Sequence, residues 1–280
     1  MADTAVRRFW LCADDYGLAP GVNTAIRDVV GRGRLNATSV MVLTPSFSRA
    51  EADALKALNA DRTRVAIGLH VTLTGPLKPL TATYSPLSAG AFLPVGTMLR
   101  VAVQQRLDPG ALREEIRAQF ESFSAAFGRP PDFVDGHQHV HLFPQVRQAV
   151  LETMSWMAPQ AWVRQCGSGL PLARRLSDPK GLLIDWLSRE FRARAAQHKI
   201  ATNPAFAGTY TYRADADFPR LFPRFLEGLP EGGLVMCHPG HVDAELERLD
   251  PLTTLRESEY AYFCSDRFPA DLAAQGMTLN

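Results

Sequence analysis

Paired cysteines are missing from this chain. Its four cysteines, Cys12, Cys166, Cys237 and Cys264, stand far apart and none belongs to a CxxC pair, so they read as separate thiols. Cys12, Cys166 and Cys237 lie in or beside strand-like runs, where a free thiol behaves as a small buried apolar group; a reducing compartment is the expectation. An excess of charge is missing too. The 30 Lys and Arg face 29 Asp and Glu, a net charge of +1, which gives no argument for a nucleic acid or an anionic membrane as partner. No run approaches the roughly 18 apolar residues of a membrane span, and Phe9 to Ala13 is far too short for the core of a signal peptide. Low-complexity linkers, internal repeats and charge runs are lacking as well. The expectation is a soluble cytoplasmic protein.

What is present is a globular composition, 46% apolar and 21% charged over 280 residues, at a length that one α/β barrel fits. Strand-length apolar runs alternate with helical patterns. Strands are expected at Arg8–Ala13, Ala37–Leu43, Arg64–Leu69, Asp132–Asp135, Ala161–Arg164, Lys199–Thr202 and Gly233–Cys237, with a short eighth at Met277–Leu279. Most are continuously apolar, which suits a parallel sheet buried on both faces. Helices are expected at Gly21–Gly31, Pro109–Phe127, Pro144–Met157, Leu182–Ala196, Asp217–Leu226 and Leu252–Phe263. In the second of these, Asp108 is the N-cap, Pro109 opens the first turn, and Gly128 with Pro130 stops the helix. The reading is α/β: a single domain over residues 1–280, a (β/α) barrel of seven or eight parallel strands, with a doubly wound open sheet as the alternative. Gly75 to Met98, rich in Pro, Thr, Ser and Gly, reads as a loop forming a substrate wall or lid. Leu170 to Pro179 and Asn203 to Tyr212 read as further loops on the same face.

Six of the seven histidines fall in three clusters, each after an apolar run: His70; His137, His139 and His141; His238 and His241. The run Phe9-Trp-Leu-Cys-Ala ends in Asp14-Asp15. Histidine and carboxylate gathered at strand ends are what a divalent-metal site needs. Two adjacent carboxylates point in different directions from a chain, so one can bind metal while the other serves as a base. In an extended segment His137, His139 and His141 share one side, and Thr72 shares a side with His70. His137, nearest its strand end, is the expected ligand; His139, His141 and Thr72 are expected substrate contacts or structural groups, and Asp135 an orienting partner for an imidazole. His238 is expected to be a fourth ligand or a general acid with a pKa near neutral. Arg164, at a strand end, is expected to hold the catalytic carboxylate or a developing oxyanion. His241 reads as a loop residue and His198 as surface. One aspartate with two histidines also suits non-haem iron, but the His-x-Asp pair and small β-barrel usual for such oxygenases are not present.

Ala13-Asp-Asp-Tyr-Gly-Leu, Gly68-Leu-His-Val-Thr-Leu-Thr, Asp135-Gly-His-Gln-His-Val-His-Leu-Phe-Pro and Met236-Cys-His-Pro-Gly, in this order, resemble the YdjC-like family of sugar deacetylases, which includes chitooligosaccharide deacetylases and hopanoid-associated members. The resemblance implies a barrel related to that of the polysaccharide deacetylases and metal-dependent removal of acetyl from an N-acetylated amino sugar, oligosaccharide or glycolipid-like. It implies one divalent ion, zinc first and magnesium as the alternative, on Asp15, His70 and His137. It further implies Asp14 as base, His238 as acid, Arg164 matching an arginine after the fifth strand, and a homodimer. Where chitooligosaccharide members have Phe after the acidic pair this chain has Tyr16, and where they have Ser-His-His-His it has Gly136-His-Gln-His. Tyr16, Thr72, His139, His141 and Phe206 are the expected substrate-binding residues, and substrate choice is expected in the loops after His70 and around Pro204-Ala-Phe-Ala-Gly. A metal phosphoesterase is the second enzyme reading, and a sugar-binding protein that kept the fold but lost catalysis is the third.

Overall fold

The computed structural model describes residues 6–169, 179–213 and 215–280. Of the loop expected over 170–179, all but the last residue lies outside these. Among the described residues eight strands and ten α-helices follow in order: β1 (Arg7–Tyr16), α1 (Pro20–Gly31), β2 (Ala37–Val40), α2 (Arg49–Ala57), β3 (Ala66–Val71), α3 (Val95–Val103), α4 (Pro109–Phe127), β4 (Phe133–Gly136), α5 (Val146–Met157), β5 (Trp162–Val163), α6 (Pro179–Gln197), β6 (Phe206–Ala207), α7 (Phe218–Leu226), β7 (Gly233–Cys237), α8 (Ala244–Leu249), α9 (Thr254–Cys264), α10 (Arg267–Ala274) and β8 (Met277–Leu279). A 3-10 helix, His137–Leu142, leaves β4 directly.

The strands lie in the order β5-β4-β3-β2-β1-β7-β6, with β8 returning to pair with β1, and every pairing is parallel. Residues of β2, β3, β4 and β7 are buried throughout, as strands covered on both faces must be. The sheet curls into a partial barrel; at its open side two isolated bridges, Val163 to Thr202 and Ser168 to Phe206, tie β5 and the segment after it to the stretch leading into β6. The expected strand Lys199–Thr202 is reduced to the first of these. Lys199 and Ile200 still donate back to Ala196 and Ala195 at the end of α6. Beyond them the Asn203 side chain accepts from Gln165 N–H (2.9 Å) and donates to the Gln165 and Ala205 carbonyls (3.1 and 2.8 Å), replacing a strand neighbour.

The helix signals act as expected at α4, where Asp108 caps Ala111 N–H at 2.8 Å and Gly128 closes the helix at φ +72°. The segment Gly75 to Met98 is not all loop: α3 begins inside it at Val95. Its preceding part is tied to α4 by Glu115, which accepts from Leu80 and Thr81 N–H at 3.2 and 2.9 Å. Among the described residues no helix is long and apolar enough to cross a membrane.

Candidate active site

Because the strands run one way, the C-terminal ends of β1, β3, β4 and β7 meet at one pole of the barrel. There Asp14, Asp15, His70, His137 and His238 line a cavity of ≈ 430 Å³. The two carboxylates open on the same cavity but face different partners, Asp14 the Arg164 guanidinium and Asp15 the two imidazoles. The β1–β2 register runs Ala13 to Thr38 and then Tyr16 to Val40, one extra residue in β1. Asp15 takes that place at φ +69°. Such a bulge re-aims a side chain, and both Asp14 and Asp15 reach the cavity.

Asp15 Oδ1 lies 3.2 Å from His70 Nε2 and 3.1 Å from His137 Nδ1. Donors bound at about 2.0–2.2 Å to one divalent ion stand roughly 3 Å apart, the spacing found here. His70 Nδ1 is 2.6 Å from Asp135 Oδ1 and 3.0 Å from Ser39 Oγ, which turns Nε2 toward Asp15. Burial opposes charge on the His70 ring, but the Asp135 carboxylate, helped by Asp15 and Asp14, outweighs it and pushes His70 up to about 10. Burial likewise works against charge on Asp15, and Arg256 with His137 and His70 overcomes it, holding the carboxyl well below its usual range. Asp15, His70 and His137 are all buried, and one ligand atom from each lies within 4.8 Å of the other two, a donor set that a divalent ion can bridge. The residues fit a metal.

Asp14 faces Arg164 through both oxygens, at 2.7 and 2.8 Å, and Arg164 Nη2 is also 3.0 Å from Asp135 Oδ2. Arg164 is fully buried, with its guanidinium occupied by two carboxylates. A second close group, Cys12, Asp14 and Asp135, already has its cation in this arginine, and burial pushes the Cys12 thiol well above its ordinary range.

His238 follows β7. Its backbone N–H donates to Glu259 Oε2 at 2.5 Å, and Tyr210 donates to Glu259 Oε1 at 2.6 Å. Burial pushes His238 down to about 4, so near pH 7 the ring is neutral; the expectation of a near-neutral pKa is corrected by the loss of hydration in the cavity. Burial acts the other way on the Glu259 carboxyl, raising it to about 7.

The remaining expected contacts are scattered. Gln138 and His139 sit at φ +52° and +59°, and the chain after Gly136 coils instead of extending. His137, His139 and His141 therefore do not share a side. His141 is buried with Nε2 2.8 Å from the Arg164 carbonyl, and burial takes it down to about 3. His139 lines the cavity, with Nδ1 3.5 Å from Cys166 Sγ. Thr72 is buried, its hydroxyl on the His70 carbonyl at 2.9 Å, because β3 stops at Val71. Tyr16 points away from the cavity: its hydroxyl donates to Glu51 and accepts from Arg27 at 2.8 Å. Phe206 lines a neighbouring cavity of ≈ 230 Å³ and packs its ring against His139 and Arg164. His241 packs edge-on against Tyr260, and His198 lies beside Ser155.

Three charged residues at the site were not foreseen: Asp250, Arg256 and Glu259. Arg256 and Asp250 line the cavity, and Glu259 sits behind His238. The available signal was charge on a buried helical face. Arg256 and Glu259 are one turn apart in α9, in phase with buried Leu255, Tyr262 and Phe263.

Fold and site together define an α/β barrel with a carboxylate–histidine cluster at the C-terminal ends of its strands. The chain belongs to the YdjC-like protein family, whose model matches residues 8–274. Chitooligosaccharide deacetylases of Yersinia pestis (strain Pestoides F) and Yersinia pseudotuberculosis serotype O:1b (strain IP 31758) are each 29% identical over 241 residues, 84% of this chain and 82% of theirs. An Enterococcus faecalis V583 crystal structure, provisionally named for cellobiose-phosphate cleavage, shares the fold at a TM-score of 0.76 and 19% identity, covering 99% of this chain and 97% of that one.

Proposed function

We propose that the protein is a metal-dependent carbohydrate deacetylase that removes acetyl from an N-acetylated amino sugar. One observation carries the reading: a carboxylate, an Asp-His-His cluster and an imidazole share one cavity, with Arg164 behind Asp14, Asp135 behind His70 and Glu259 on the backbone N–H of His238. The names of the Yersinia relatives support the same reaction.

Asp15, His70 and His137 would hold one divalent ion, for which zinc suits the donor set and magnesium is the alternative. When bound, such an ion polarises the acetamide carbonyl and acidifies water. Asp14 takes the proton of the attacking water, and Arg164 fixes the carboxylate that does so. Arg164 does not line the cavity, so the oxyanion role falls away and the positioning role is kept. His238 gives a proton to the departing amine. Its ring is neutral before substrate binds, so it takes that proton up from solvent as negative charge builds on the acetamide oxygen, and the proton held by Asp14 returns to solvent; the net transfer is one proton from water to the amine.

The cavity wall favours a second reading of the substrate. Val95, Leu99, Leu142, Phe143, Leu183 and Leu187 make much of it, and aliphatic walls suit an apolar group attached to the sugar. This supports the glycolipid-like substrate over a free oligosaccharide. A phosphoesterase using two or three metals is not supported: among the described residues one of two candidate donor groups is filled by Arg164.

A single domain is part of the proposal, supported by β8 returning from the C-terminal end to pair with β1. So is a cytoplasmic location, supported by the buried free thiols Cys12, Cys166 and Cys237. A homodimer is proposed from the family resemblance alone, and solution mass tests it. The function is tested by acetate release from N-acetylated monosaccharide, chitooligosaccharide and glycolipid-like substrates, with chelator and with metal added back. Release abolished by chelator and restored by metal is expected; no release from any of them, with one metal bound, sinks the reading.

A further inference from the structure

Arg256, in α9, is fully buried. Its Nη2 donates to Asp15 Oδ2 at 2.7 Å and lies 3.1 Å from Asp250 Oδ2, while its Nε donates to the Leu252 carbonyl at 2.9 Å. A carboxylate offers two oxygens, and at Asp15 they are divided. Oδ1 faces His70 Nε2 and His137 Nδ1; Oδ2 faces Arg256. We propose that Arg256 is a positioning residue that takes up Oδ2 and so fixes Asp15 as a one-oxygen ligand for the cation held with His70 and His137. Asp250 and the Leu252 carbonyl hold the guanidinium in place. The inference rests on reading those three residues as the metal site.

Two effects oppose each other here. A guanidinium beside a bound cation repels it, so on charge alone removing Arg256 tightens binding. Positioning acts in the other direction. Asp15 occupies a bulge at φ +69°, where no regular strand geometry aims its side chain. With Oδ2 released, the carboxylate turns about its own bond and Oδ1 loses its alignment with the two imidazoles. Partners behind metal ligands typically carry about 10–100-fold in affinity. Asp250 shares the charge of Arg256, which reduces the repulsion while leaving the hydrogen bond to Asp15 intact. Positioning therefore prevails.

The test is zinc affinity, measured by competition with a chromophoric chelator for the wild type, Arg256→Gln, Arg256→Lys and Asp250→Asn. Thermal melts of the metal-free proteins follow folding. Arg256→Gln is expected to bind zinc about 10–100-fold more weakly. Arg256→Lys, which keeps the charge but not the planar fork, is expected to weaken it too, and Asp250→Asn to do so by less. Equal or tighter binding by folded Arg256→Gln overturns the proposal and leaves Arg256 a core ion pair. If that variant does not fold, Asp250→Asn decides, and unchanged affinity there overturns it. Zinc bound equally by all four proteins defeats this inference alone. No zinc bound by folded wild type defeats the metal-site reading beneath it.

Discussion

Arg164 and Asp14 are 150 residues apart in sequence and meet in a two-pronged ion pair, Nη1 to Oδ1 at 2.7 Å and Nη2 to Oδ2 at 2.8 Å. The arginine leaves the end of β5 and the aspartate the end of β1, so the pair spans the pole of the barrel. It fixes the plane of the carboxylate that we propose as base.

Asp14→Asn is therefore expected to lower turnover by about 10²–10⁴-fold, the range for a lost general base, with zinc content unchanged. Acetate release and metal analysis on one sample check both halves; near-normal turnover would remove Asp14 from the mechanism. Arg164→Met leaves Asp14 and Asp135 buried without their shared cation and is expected to cost about 3–5 kcal/mol of stability, read by urea unfolding.

Tyr16→Phe separates the Tyr16 hydroxyl from function. That hydroxyl bonds Glu51 and Arg27, away from the cavity. The variant is expected to lose about 0.5–1.5 kcal/mol with KM unchanged. A raised KM would return Tyr16 to the substrate site.

His141 makes stability depend on acid. Burial holds it at about 3 in the folded protein, against about 6.5 when unfolded. Between these values the unfolded chain binds more protons, so the contribution is complete above about pH 6.5 and is lost as pH falls toward 3. In the metal-free protein, His141→Gln is expected to flatten the decline in denaturation midpoint between pH 7 and 4. A decline as steep as that of the wild type would contradict this.

Glu259 acts with the opposite sign. Its folded pKa, about 7, lies above the unfolded value of about 4.3, so its contribution is present below about pH 4.3 and lost as pH rises through 7. Glu259→Gln does not titrate and keeps one oxygen as acceptor for either Tyr210 or the His238 N–H, its NH2 taking the other place. Its stability is expected to fall less than that of the wild type between pH 5 and 8, by the same denaturation series.

Gly68 leaves room for a ring. A Cβ there would stand 2.5 Å from the Phe133 ring, and that ring stacks on Trp162 at 4.5 Å. Gly68→Ala is expected to cost about 1–3 kcal/mol, measured by thermal unfolding, and to leave zinc content unchanged.

The parallel barrel, most of its strands and the placing of Asp14, Asp15, His70, His137 and His238 near strand ends were legible in the sequence, because apolar runs of period and length specific to buried strands are local signals. Helices α2, α3, α8 and α10 were not read: α2 is short with only Ala52 and Leu55 buried, α3 starts after a Pro-rich run, and α8 and α10 are short with two buried residues each. Strand Lys199–Thr202 was overread because an apolar pattern does not reveal that Asn203 substitutes for the ladder.

By itself the sequence determined the order of elements, the donor types and their nearness to one pole, since each follows from hydrophobic pattern and chain direction. Only the tertiary structure decided which carboxylate faces which cation, that His141 is a buried neutral ring, that Tyr16 is buried away from the cavity, and that Arg256 grips Asp15 across 241 residues. Those outcomes depend on a one-residue bulge in β1 and on left-handed backbone at Gln138 and His139. Such small departures redirect side chains by half a turn and cost too little to leave a mark in any periodic pattern.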